Sequence, residues 1–363
     1  MSMLQSMTHK QRQKLRIVSA AIFFLLIAFS YMLIQLSLEK RASSKTTKWT
    51  PTPLDKAADS TKVYFGVYSL SITDLDLGSS SFQYDGYMWV RYKGFTGDSL
   101  MNEIELMNRG KDVSMVAVDT RDSSQFKYVA YRIQGTIATT YSLAHFPFDT
   151  QILTLEFESP IFEKNKFVFI PDTASFAQYD SGFVGLEHNL NVPDYDVINS
   201  QIYVTDHTYP TDFGLPETGV GRSLFTRAVF EVHVQRKFMP YLTKFLLPIF
   251  LMLAVTYLVF FIPPDQLEIS IVICATSLFT AIGIGLLQLE ISMHIGYLMT
   301  TDKFYVLSYI VIVFAFIETI VASNAAEKDM QMANLIHAWS RYIFYPLCGV
   351  GLFLIGLWDY ITP

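Results

Sequence analysis

The sequence predicts a β-sandwich domain followed by a four-helix membrane bundle, with an extra apolar helix near the N-terminus. Three observations predict it. Apolar residues gather in five stretches, near 17–38, 241–262, 267–289, 304–323 and 342–361, each close to the ~20 residues a helix needs to cross hydrocarbon. Between the first stretch and the second, polar and apolar positions alternate, and Tyr, Phe, Val and Thr abound. The 363 residues are 51% hydrophobic, more than a soluble chain of this length carries.

In chain order, residues 1–41 form a basic start and a membrane segment. Lys10, Arg12, Lys14 and Arg16 precede the first apolar stretch with no acid among them, which places the N-terminus in the cytoplasm. The stretch is long for a secretory signal and no small-x-small site follows it, so an uncleaved anchor is favoured over a cleaved signal. Residues 42–59 read as a linker of Ser, Thr, Lys and Pro. Residues 60–237 read as the extracytoplasmic sandwich, with strands near 63–68, 82–92, 113–119, 126–137, 151–158, 166–170, 196–205 and 225–236. Turn residues separate them at Gly78, at 94–97, at 121–124 and at 210–221. Many short strands without a long helix predict a sandwich. Residues 238–363 hold the four bundle helices, and an inside start with five spans leaves the C-terminus outside.

Charge and composition exclude several functions. The first 59 residues hold nine basic and three acidic side chains, residues 60–237 hold 14 and 22, and the remainder four and eight. An acidic middle block argues against nucleic acid and for attracting cations. The two cysteines, Cys274 and Cys348, both fall in apolar stretches, so the sandwich holds no disulfide. No Cys/His set has metal-ligand spacing and no phosphate loop is present. Neither a metal, a cofactor nor an enzymatic activity is expected.

The most specific motif is Phe146-Pro147-Phe148-Asp149-Thr150-Gln151. Taken alone it is a turn in which Pro fixes φ and Asp bonds nearby backbone. Its context carries more. It follows Ile72-Thr73-Asp74-Leu75-Asp76 and Tyr87-Met88-Trp89-Val90-Arg91-Tyr92. After it come Arg236, Pro248, Pro263-Pro264-Asp265, Thr276-Ser277-Leu278-Phe279-Thr280, Tyr297-Leu298 and Asp302-Lys303. From about residue 60 to the end, this ordered set resembles the Cys-loop receptor superfamily, in its cysteine-free prokaryotic branch. Thr139 and Leu153 stand where eukaryotic relatives carry the loop cysteines.

The resemblance implies a homopentamer in a lipid bilayer, a pore lined by the second bundle helix, and gating by an extracellular small ligand or by protons. Steps of four and three put Glu268, Val272, Thr276, Phe279, Gly283, Leu286 and Glu290 on one face of that helix. Ser270, Cys274 and Ser277 make a rival stripe on nearly the opposite face, and polarity alone favours them as the wet side. The resemblance selects the first face. Glu268 would then form an anionic ring selecting monovalent cations, and Val272, Phe279 and Leu286 apolar rings.

The resemblance further implies that Asp76, Asp149 and Arg236 couple ligand binding to pore opening; a structural salt bridge is the plainer reading of the same charges. Loop aromatics Phe176, Tyr179, Phe183, Tyr209 and Phe213 are candidates to cage an amine, or else local packing. Glu318, inside an apolar stretch, is expected to snorkel toward the inner surface. Two departures from the family pattern stand out: Met293 replaces a usual loop proline, and residues 92–127 lack a Trp-x-Pro strand. The rival function is a non-conducting anchored receptor, which needs a cytoplasmic output domain; the segment near 324–340 is too short for one. The expected location is the plasma (inner) membrane, multi-pass, with the sandwich outside.

Overall fold

The computed structural model describes residues 17–21, 24–29, 31, 32, 36, 61–93, 104–176, 183–214, 223–287 and 296–361. They divide into two units. One comprises residues 48–142 and 150–237, the other residues 1–47, 143–149 and 238–363.

The first unit is a β-sandwich of nine strands: β1 (Thr61–Asp76), β2 (Ser81–Tyr92), β3 (Glu105–Leu106), β4 (Ser114–Asp122), β5 (Lys127–Ala138), β6 (Thr150–Glu158), β7 (Phe167–Pro171), β8 (Tyr195–Tyr209) and β9 (Ser223–Arg236). One sheet runs β4-β5-β2-β1-β7 and the other β3-β6-β9-β8. Pairing is antiparallel except for β1 with β7. Period-two alternation sends Val63, Phe65 and Val67 of β1 inward with Phe82, Met88 and Val90 of β2, and Leu153, Leu155 and Phe157 of β6 with Phe230, Val232 and Val234 of β9. Phe167 and Phe169 of β7 pack edge-on at 4.7 Å, and the Thr226 hydroxyl of β9 donates to the Phe167 carbonyl, joining the sheets.

Two elements differ from the expected strands. β1 runs on to Asp76 through two register shifts, where polar residues hide the alternation. β3 is only two residues long, too short for any periodicity. The Asp76 carboxylate accepts the N–H groups of Gly78 and Ser79 at 2.9 and 3.1 Å, which shapes the β1–β2 turn.

The second unit holds four helices long and apolar enough to cross a membrane: α1 (Phe238–Phe261), α2 (Leu267–Leu286), α3 (Thr300–Ala326) and α4 (Met330–Ile361). They bury Val259, Phe260, Cys274, Val311, Ala315 and Phe344 in one cluster and Ile249, Met252, Ala281, Tyr305 and Ile312 in another. Within α1, Leu242–Leu246 has π geometry. Pro248 explains it: the ring has no N–H and would collide with the Lys244 carbonyl four residues back, and widening the turn relieves both.

α4 begins twelve residues before its apolar stretch, because its N-terminal half is amphipathic and buries Ala333, His337 and Ser340. Only residues 327–329 separate α3 from α4, a tighter connection than the sequence suggests. Glu318 corrects an expectation. It does not snorkel; it is buried, with Oε1 3.0 Å from His337 Nδ1, so a helix neighbour rather than the membrane surface accommodates it. Of the first apolar stretch, the described residues are helical in 17–21 and 24–29.

Gly66 of β1 lies under the Trp89 indole, where a β-carbon would overlap the ring. Gly66→Ala is expected to destabilise the sandwich by about 1–3 kcal/mol through overpacking. A thermal melt of the full chain, followed by the β signal in circular dichroism, measures the loss.

Candidate functional site

α2 has two unlike faces. Ser270, Cys274, Ser277 and Ala281 are buried within the unit; Cys274 lies beside Glu318 and Thr319 of α3. Glu268, Val272, Thr276, Phe279, Gly283 and Leu286 are all exposed on the opposite side, Phe279 at 74%. Glu290, assigned to the same face, and Met293 lie outside the described residues. α2 is the least covered span, with 22% of its window buried against 33–39% for the others.

The hydroxyls on the open face are oriented. Thr276 donates to the Val272 carbonyl at 2.7 Å and Thr280 to the Thr276 carbonyl at 2.8 Å. Their hydrogens are thus committed to backbone, and what they turn outward is oxygen lone pairs. Glu268 sits in the first turn of α2, where the helix dipole favours negative charge.

The Phe-Pro-Phe-Asp motif belongs to the helical unit, though β5 and β6 flank it in sequence. Its aromatics hold the start of α1: Phe146 packs edge-on against Tyr241 at 4.9 Å and Phe148 stacks on Phe238 at 4.8 Å. The Leu143 N–H donates to the Tyr297 hydroxyl at 2.9 Å. The Ala144 carbonyl accepts the Thr300 N–H at 3.1 Å. Thr300 also donates to Asp359 of α4 at 2.6 Å, and Lys303 pairs with the same carboxylate. At the neck of the loop, Gln151 clasps Ser142: the Ser142 N–H donates to Oε1 and Nε2 donates to the Ser142 carbonyl, both at 3.0 Å.

Of the three coupling candidates, Asp149 is buried in the helical unit and the other two belong to the sandwich. Asp76 and Arg236 share Tyr141 as a neighbour. Burial pushes the Tyr141 hydroxyl upward, the Asp76 charge adds to this, and Arg236 opposes it. Arg236 is itself buried and lies 4.5 Å over the Tyr195 ring.

The aromatic candidates fall into separate clusters. Phe176 packs on Trp89 at 5.5 Å, next to Asp172, which accepts from Trp89 Nε1 and from Arg91, both at 3.2 Å. Tyr209 packs edge-on with Phe213 at 5.3 Å and with Phe225 at 5.6 Å. Its hydroxyl donates to Glu158 at 2.8 Å and accepts from Arg227. Phe213 is 59% exposed with φ 53°. Phe183 is at the margin of exposure, and Tyr179 lies outside the described residues.

Sequence reasoning passed over a polar network on β8 and β9. Glu231 accepts from Tyr203 at 2.5 Å and from Gln201 at 2.6 Å, with His233 Nε2 3.2 Å away. The signal was there: Glu231 and His233 stand two apart on one strand, and so do Gln201 and Tyr203. No family model and no curated protein matches the chain.

Burial pushes the Glu231 carboxyl up, but the bonds from His233, Tyr203 and Gln201 outweigh it and hold it below its ordinary 4.5. A carboxyl held down in the folded state stabilises the fold above that ordinary value, and the contribution is lost as pH falls through the folded value. Glu231→Gln should therefore flatten the acid limb of stability as pH falls below 4.5. Denaturant melts at stepped pH report it, and parallel limbs would show that the network does not hold this charge.

Proposed function

We propose that this chain is one subunit of a pentameric ligand-gated channel, opened from outside the cell by a small ligand or by protons and passing monovalent cations. The observation that carries the proposal is the open face of α2. In a span lying in hydrocarbon, a face bearing a carboxylate and hydroxyl lone pairs is costly toward lipid. Toward a water-filled axis shared with other copies it is not. The resemblance in the sequence supplies the number five and the direction: the sandwich and the C-terminus outside, the chain in the plasma membrane.

On this reading the Glu268 carboxylates ring the inner mouth, and Thr276 and Thr280 continue a path of acceptors suited to cations. Val272, Phe279 and Leu286 alternate with them as apolar levels, which close a pore by shedding water. The loop of residues 143–149 carries movement of the sandwich to α1 and α3, with Asp76, Asp149 and Arg236 as the charges that set its bias. Tyr209 and Phe213 offer an amine ring faces, beside a Glu158 carboxylate that Arg227 already pairs.

Currents from the purified chain in planar bilayers, over a panel of pH values and small amines, test the proposal. A pentamer that stays silent throughout would favour the non-conducting receptor. Glu268→Gln should lower cation-over-anion permeability, moving the reversal potential in asymmetric salt toward that of the anion; an unmoved potential removes Glu268 from the selectivity role. Phe279→Ser should hydrate its level, giving spontaneous current or a left-shifted response with selectivity kept. A lowered melting temperature with unaltered gating would instead mean that Phe279 packs against a neighbouring helix.

A further inference from the structure

The channel reading makes no use of the first apolar stretch, yet that stretch is seated on α4 by two contacts. The Ser19 hydroxyl donates to the Tyr342 carbonyl at 2.9 Å. Ten residues on, Phe29 stacks on Phe353, with ring centroids 5.7 Å apart; Phe353 is eleven residues beyond Tyr342. These advances correspond to about 15 and 16.5 Å of helix. Two helices in contact at both levels, with matched spacing, lie side by side and run in the same direction.

The choice of Tyr342 has a physical reason. Pro346 lies inside α4 and has no N–H to offer the carbonyl four residues before it, which is that of Tyr342. In hydrocarbon an unsatisfied carbonyl is expensive, and a hydroxyl from an adjacent helix is one of the ways a membrane protein tolerates an internal proline. Ser19 supplies that hydroxyl. It is 7% exposed, while Ile17, Val18, Phe24 and Leu25 around it are more than half exposed. The stretch thus turns Ser19 to α4 and Ile17, Val18, Phe24 and Leu25 away from it.

We propose that the N-terminal stretch is retained in the mature protein as a fifth membrane span, docked parallel to α4, with Ser19 replacing the hydrogen bond that Pro346 removes. The parallel direction puts Ile17, where the described stretch begins, on the same side as the start of α4. That is the side where Lys10, Arg12, Lys14 and Arg16 hold an N-terminus. It also binds the inner half of α4, whose outer end holds Thr300 and Lys303 through Asp359.

Two measurements on the full chain purified from membranes test this. The intact mass should include the stretch; a mass lacking residues 17–36 overturns the proposal, and this readout needs no variant. A double-mutant cycle tests the bond itself. Ser19→Ala should lower the melting midpoint by about 2–4 °C, and Ser19→Thr, which keeps the hydroxyl, by less. In a Pro346→Ala background, residue 346 regains an N–H for the Tyr342 carbonyl, and Ser19→Ala should then have little effect. Equal shifts in both backgrounds would show that the hydroxyl does not stand in for the proline.

Discussion

A polar group on a helix that crosses hydrocarbon must find either a partner or water, and α2 presents polar groups on both of its faces. On one face Ser270, Cys274 and Ser277 are enclosed by their own chain. On the other, Glu268, Thr276 and Thr280 are left open. Small side chains suit the first face, since they let α2 approach its neighbours closely. Large apolar rings such as Phe279 suit the second only if something outside the chain shapes that space. Polarity counted from sequence treats the two faces as competitors, whereas their side-chain volumes separate them.

The same constraint accounts for the irregular places in the bundle. Pro248 frees a carbonyl in α1, and the chain answers with a π turn. Where α1 ends, the Phe260 carbonyl accepts from Arg341 Nε at 2.9 Å, and the guanidinium lies 4.6 Å over the Phe261 ring. A cation at a helix C-terminus satisfies the final carbonyls and suits the dipole. Glu318 and His337 solve the problem for an ionisable group by pairing across α3 and α4. In the last two cases a neighbouring helix supplies what water supplies in a soluble protein, so α3 and α4 are positioned by polar bonds as well as by packing.

Much of this was legible in the sequence wherever period and burial coincide. β2 and β6 bury alternate residues, and the extents of β2, β5, β6 and β9 lie within a few positions of the expected strands. The four spans were legible from length and hydropathy. What stayed hidden depends on partners distant in sequence. That Glu318 meets His337 follows from the tight connection at 327–329, which brings α4 back against α3. The network around Glu231 needs the β8–β9 register, which pairs Gln201 with Glu231 and Tyr203 with Val229. The tail of β1 was hidden because a bulged polar strand gives no alternation. Among the aromatic candidates, composition identified loop residues with π faces but gave no means of grouping Tyr209 with Phe213 and Phe225, and Phe176 with Trp89.

The loop of residues 143–149 shows why motif and fold must be read together. As a sequence it is a proline turn between strands. As a structure, its neck is fixed by Gln151, whose single amide satisfies both backbone groups of Ser142 and is itself 1% exposed. Its far end is fixed by two aromatic contacts to α1 and by the Ala144 carbonyl held at Thr300. A flexible loop would absorb a displacement of β5 and β6 in its own dihedral angles. This one has little freedom to do so, because its ends are clasped and its rings are packed. The motif's residue types then divide by task. Pro147 sets the turn, Phe146 and Phe148 grip the first turn of α1, and Gln151 closes the neck. The result is a short, stiff element that belongs by covalent bonds to the strands and by packing to the helices.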